Sequence, residues 1–250
     1  MLLKLEGVVL RQTKYSDSDK ILTIFTKEYG KIQAIAKGSR RQKSKLFASS
    51  QILTLSNFVV YKGKKMHNIN QGDICKSFYP IKENLDKLSY AMYLVELINA
   101  SILENEQNEK VYYLLIKTLE VLSIATKDYK KIILAFELKY MSFIGYKPSL
   151  KVCAECRENY LENAVFSCKC GGVLCSKCRN IHVYDFQLNN TLLKNLQLLL
   201  YSKLDELDNI EIEDKQLEFL EKIMKKYISY YIDKKEFNAL KFMQYINPHY

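Results

Sequence analysis

Lys20-Ile21-Leu22-Thr23-Ile24-Phe25-Thr26 and Lys31-Ile32-Gln33-Ala34-Ile35-Ala36 decide the fold. Each is a short run rich in β-formers, and Glu28-Tyr29-Gly30 between them has the composition of a hairpin turn. Upstream, Leu3, Leu5, Val8 and Leu10 approximate the alternation of a half-buried strand, with a change of phase near Gly7 that predicts a bulge there. Downstream, Ile52–Lys62 and Met66–Cys75 give two further extended runs, joined near Lys62-Gly63-Lys64. About five strands thus fit into the first 75 residues, with no long helix between the first and the third. Closing five antiparallel strands into a small barrel removes the exposed edges, and the oligonucleotide-binding (OB) barrel is the common soluble solution of this size.

Beyond Pro80 the period changes. Leu85, Leu88, Tyr93, Leu94, Leu97, Ile98 and Ile102 form a helical stripe, as do Val111–Ala125 and Ile132–Ile144. Leu220, Ile223, Met224, Tyr227, Ile228, Tyr231 and Ile232 repeat the pattern near the end of the chain. The expected fold class is therefore α+β and multidomain. An N-terminal five-stranded OB-fold β-barrel (residues 1–80) precedes an α-helical domain (residues 81–250), which carries a zinc-binding insertion at about residues 150–182.

The insertion is read from the cysteines. Six of the seven fall within residues 153–178, in the pattern Cys153-Ala-Glu-Cys156 and Cys175-Ser-Lys-Cys178. Two CxxC pairs at this separation are a zinc signature. Two residues between thiolates let a tight turn aim both sulfurs at one tetrahedral ion, and the second pair closes the shell. Cys153, Cys156, Cys175 and Cys178 are therefore the expected ligands of a structural Zn2+. Cys168 and Cys170 leave room for a swap, as does His182, four residues after Cys178. Cys75 stands apart and reads as a core thiol.

The chain has 250 residues and a formal charge of +10. Residues 1–80 hold 15 Lys/Arg against 5 Asp/Glu, whereas residues 81–250 hold 23 of each, so the excess lies wholly in the predicted barrel. Five cations crowd into Lys37-Gly38-Ser39-Arg40-Arg41-Gln42-Lys43-Ser44-Lys45 with no acid among them. Such a segment, linking the third and fourth strands, suits contact with the phosphates of a polyanion. Tyr15, Tyr29 and Phe47 are candidates for stacking on bases.

Catalytic motifs are missing. The three histidines, His67, His182 and His249, belong to no H-E-x-x-H element, and no nucleophile elbow or phosphate-binding loop occurs. Asp17 and Asp19 fit a turn better than an acid pair. A binding protein without turnover is expected. The most apolar stretch, Leu88–Leu103, still carries Glu96, Asn99 and Ser101, and Glu6 interrupts what would be a signal peptide's apolar core. A soluble, cytoplasmic protein with no membrane partner is expected.

Four stretches carry a resemblance: Glu6–Arg11 (EGVVLR), Asp19–Gly30 (DKILTIFTKEYG), Ala36–Lys45 (AKGSRRQKSK) and Gly171–Cys178 (GGVLCSKC). The sequence resembles the bacterial RecO family of recombination mediators over essentially its whole length. The resemblance implies binding of single- and double-stranded DNA, annealing of complementary strands, and nucleoid association. It implies contacts with RecR and with the C-terminal tail of single-strand-binding protein, in service of loading RecA. Carried over, the DNA contacts would be Lys37, Arg40, Arg41 and Lys43, with Lys45 in the same run and Arg11 on the first strand. A nucleic-acid-processing enzyme, or an adaptor that meets DNA only through partners, are the alternatives.

Overall fold

The computed structural model describes residues 1–63, 66–159, 161, 163–234 and 236–246; Lys64 and His249 lie outside them. Five strands form in the first third: β1 (Leu2–Lys14), β2 (Lys20–Thr26), β3 (Gly30–Ala36), β4 (Leu55–Tyr61) and β5 (His67–Lys76). They close into a barrel in the order β1-β2-β3-β5-β4, with β4 returning to β1. All neighbours are antiparallel except β3 and β5, which run parallel. This is the OB-type connectivity expected from the run of short strands. Leu3, Leu5, Val9, Leu22, Ile24, Ile32, Phe58, Val60 and Ile69 fill the interior.

The bulge sits elsewhere than expected. Gly7 pairs regularly with Thr26, and the register slips between Val9 and Arg11, leaving Leu10 without a partner on β2. Gly7 answers a packing need instead, because a Cβ there would lie 2.5 Å from Ile24 Cγ2. β4 starts at Leu55 and not at Ile52, since Leu53 adopts a left-handed backbone (φ 62°) and donates its N–H to Val9 O. Cys75 is exposed and is not a core thiol. Two register shifts against β4 disrupt the alternation of β5, and nothing beyond Ile69 on that strand is buried.

The chain divides into two compact units, Met1–Ser123 with Glu236–Tyr250, and Ile124–Lys235. The first holds the barrel with α1 (Tyr79–Lys82), α2 (Leu85–Ser101) and α3 (Glu109–Ile124). The Asn84 side chain caps α2 by accepting from Lys87 N. Tyr112 of α3 covers the barrel's outer face, edge-on to Phe25 and donating to Glu6 Oε1 at 2.8 Å. Phe25, beneath Tyr112, is buried although it points away from the barrel interior, and Val8 is buried on the same outward side.

The second unit holds α4 (Tyr129–Phe143), β6 (Val165–Ser167), β7 (Gly172–Leu174), β8 (Phe186–Gln187), α5 (Asn190–Tyr201) and α6 (Asp214–Tyr231). β6 lies between β7 and β8 in a small antiparallel sheet. α6 buries Leu217, Leu220, Ile223, Met224, Tyr227 and Ile228, the face its apolar period predicts. It grips the sheet: Tyr227 packs on Phe166, Tyr231 Oη donates to Cys168 O, and Lys226 pairs with Asp185 at 2.7 Å. The last helix, α7 (Asn238–Ile246), returns to the first unit, where Glu96 of α2 accepts from Asn238 N. No helix among the described residues is long and apolar enough to cross a membrane.

Candidate nucleic-acid interface and metal centre

The segment between β3 and β4 is a run of successive turns. Arg41 N donates to Gly38 O, Ser44 N to Arg41 O and Phe47 N to Ser44 O. The turns face Ser39 and Leu46 inward, where both are buried. Lys37, Arg40, Arg41, Lys43 and Lys45 are all exposed. Five exposed cations therefore share the one segment that joins β3 to β4.

Arg40 also has a second task. Its Nη1 donates to Ser16 O at 3.0 Å and to Asp17 O at 2.8 Å, tying the loop to the β1–β2 turn. Asp19 makes the reciprocal link by accepting from Gly38 N at 2.8 Å. That N–H, followed by the Ser16 and Ser18 hydroxyls, holds the Asp19 carboxyl below the usual range. Asp17 and Asp19 thus lie in a turn, as their composition suggested. Behind them, burial and then the Arg40 charge hold the Lys20 ammonium below its usual range, while its Nζ bonds Gln12 Oε1 and lies 5.8 Å from the Phe47 ring centre.

Tyr15 is exposed in the same turn region as the Arg40 clamp. Tyr29 is exposed too, but in the β2–β3 turn at the opposite end of the strands. Arg11 is exposed on β1 and borders an apolar cleft of about 490 Å³ shared with Leu88, Met92 and Phe242.

In the second unit the four expected cysteines converge. Sulfurs of Cys153, Cys156, Cys175 and Cys178 all lie within 4.8 Å of one another, and the group could hold a metal ion. A tetrahedral ion with metal–sulfur bonds of about 2.3 Å sets neighbouring sulfurs about 3.8 Å apart. Cys156 Sγ and Cys175 Sγ are 3.7 Å apart. Each CxxC forms a knuckle in which the residue after the second Cys bonds back, Arg157 N to Cys153 O and Arg179 N to Cys175 O. Burial alone would push the Cys153 thiol up. Backbone N–H groups of Cys175, Cys156 and Glu155 outweigh it and hold the thiol below its usual range.

Cys168 stays outside this group. It is buried, and burial together with the Asp185 carboxylate pushes its thiol up to about 12. Cys170 and His182 also lie outside it.

Residues 1–78 match the family described as Recombination protein O N terminal, and residues 82–241 match Recombination protein O C terminal. The chain belongs to the RecO family. A DNA repair protein RecO from Alkaliphilus metalliredigens is 38% identical, over 96% of this chain and 98% of its own length. Another from Acetivibrio thermocellus is 34% identical over 93% and 92%, and one from Caldicellulosiruptor saccharolyticus is 33% identical over 98% of both chains. The named role of these RecO proteins is DNA repair.

Some site residues of this RecO-family chain escaped the sequence reading. Tyr227 and Tyr231, which with Lys226 lock the small sheet onto α6, lie on a stripe that a helical bundle explains equally well, and Lys226 stands beside that stripe as an ordinary exposed cation. The clamp role of Arg40 has no local signature, because its acceptors are backbone carbonyls more than twenty residues away in sequence.

Proposed function

We propose that the protein is a recombination mediator in DNA repair that binds single- and double-stranded DNA without sequence specificity and anneals complementary strands. The observation that carries this reading is the set of five exposed cations, Lys37, Arg40, Arg41, Lys43 and Lys45, on one loop of an OB-type barrel. Cations at that density neutralise phosphates and release counterions, which gives affinity without base readout. Annealing requires two mutually repelling strands to approach each other. A dense cationic surface screens the repulsion, and no covalent step is needed. Arg11, exposed on β1, is a further phosphate contact in this reading. Tyr15, exposed beside the clamp, is suited to stacking a base.

The four-cysteine group holds Zn2+ in this reading. A shell closed by four thiolates leaves no position for substrate, so the ion is structural and staples a sheet of very short strands to the module. Membership of the family supports three partners: RecR, the C-terminal tail of single-strand-binding protein and, indirectly, RecA loaded onto coated DNA. It also supports action at the nucleoid in the cytoplasm. No turnover is assigned.

The test is annealing of complementary oligonucleotides by the full chain, with and without single-strand-binding protein. Wild-type protein accelerates annealing, and a combined Arg41→Ala, Lys43→Ala, Lys45→Ala variant does not. Equal rates for the two would overturn the loop assignment. Absence of DNA binding by the isolated chain would favour an adaptor, and a metal-dependent nuclease activity would favour an enzyme.

A further inference from the structure

The zinc reading leaves Cys170 and His182 unused. The geometry points to a second metal site on the same module, formed by Glu155, Cys170 and His182. A carboxylate oxygen of Glu155, the Cys170 sulfur and a ring nitrogen of His182 lie within 4.8 Å of one another. His182 Nε2 and Glu155 Oε1 are 3.5 Å apart, about the separation of two donors on one first-row metal ion. The two groups share no residue, so this is an additional site and not a ligand swap.

Three anchored backbones bring these donors together. Glu155 lies inside the first knuckle, between Cys153 and Cys156. His182 follows the second knuckle, and its N–H donates to Cys178 O at 3.1 Å. Cys170 occupies the turn between β6 and β7, where its N–H donates to Ser167 Oγ. An ion in the four-cysteine group would fix two of the three, so the second site is largely preformed once the first is filled.

The donor set decides the kind of ion. Thiolate plus imidazole selects borderline divalent ions such as Zn2+ or Co2+ over Mg2+ and Ca2+, which prefer oxygen. Three protein donors leave one position for water. Cys170 also lines a polar cleft of about 250 Å³ with Tyr146, Lys147 and Arg157. Glu155 is exposed, and Cys170 and His182 are half-buried. The second ion is thus exchangeable, whereas the first is enclosed by three buried cysteines and one exposed cysteine.

Cobalt titration of the full chain after metal removal under reducing conditions tests this. A Cys75→Ser background removes the exposed thiol that belongs to neither group, and thiolate-to-cobalt charge transfer and d–d bands follow uptake. Two steps are expected, a tight four-sulfur step and a weaker one with a distinct spectrum. Cys170→Ala and His182→Ala should each abolish the second step, leave the first and keep the circular dichroism unchanged; excess Mg2+ should not compete. A single step in the starting protein, with its four-sulfur spectrum intact, would overturn the second site while leaving the first standing. Retention of both steps in the variants would overturn it equally. Loss of the four-sulfur step in the starting protein would instead strike the zinc reading.

Discussion

Asp19 shows how one side chain can set a loop. Its carboxylate accepts from Gly38 N while Arg40 reaches back to Ser16 O and Asp17 O, so the first turn of the cationic segment is held from both sides. Because the folded state depresses the Asp19 pKa, its contribution to stability is full above the unfolded value and fades as pH falls through the folded one. Asp19→Asn is therefore expected to flatten stability against pH below about 4. Chemical denaturation of both proteins between pH 3 and 7 tests this, and parallel curves would contradict it. Gly172 is the second such residue. It has φ 151°, and a Cβ there would lie 2.3 Å from Ser149 O. Gly172→Ala should cost about 1–3 kcal/mol from backbone strain alone, visible as a lower denaturant midpoint with faster metal loss to a chelator.

At the scale of elements, β6, β7 and β8 are three, three and two residues long. Strands so short do not support a sheet by pairing alone. Val165, Leu174, Cys153, Cys175 and Cys178 form one small buried cluster, and α6 supplies the remaining cover. Cys153→Ser should leave an incomplete shell, lose the ion and unfold this sheet while the barrel persists. Hydrogen exchange by mass spectrometry separates the cases: fast exchange in residues 150–188 with protected β1–β5 is expected, and unchanged protection of the sheet would sink the idea. The same elements show what the sequence could tell. The β2–β3 hairpin and the CxxC knuckles are legible because their determinants are local, a period of two and a fixed ligand spacing. The place of the bulge, the exposure of Cys75 and the return of α7 to α2 are not, since each is decided by register or by a partner distant in the chain. Glu155 carries no signal of its own as a donor, and only folding brings Cys170 and His182 to it.

At the scale of the molecule, the charge excess and the barrel coincide. The first 80 residues carry all ten units of the chain's excess, and five cations of that stretch project from one loop. Arg40 differs from the other four, because removing it would loosen the loop as well as delete a charge. A clean measurement therefore leaves Arg40 in place and removes Arg41, Lys43 and Lys45. Each phosphate contact contributes about 0.9 to the slope of log affinity against log salt on duplex DNA, and about 0.7 on single strands. If all three side chains meet phosphates, the combined alanine variant lowers the slope by roughly 2.7 on duplex and roughly 2.1 on single strands. The loss should be the same for unrelated sequences, since phosphate contacts carry no base information. Fluorescence anisotropy with labelled oligonucleotides over a range of salt measures both slopes, which suits a chain without tryptophan. A weakened affinity with an unchanged slope would mean that the loop acts through shape and not through charge. An unchanged affinity would move the DNA surface to another face of the barrel.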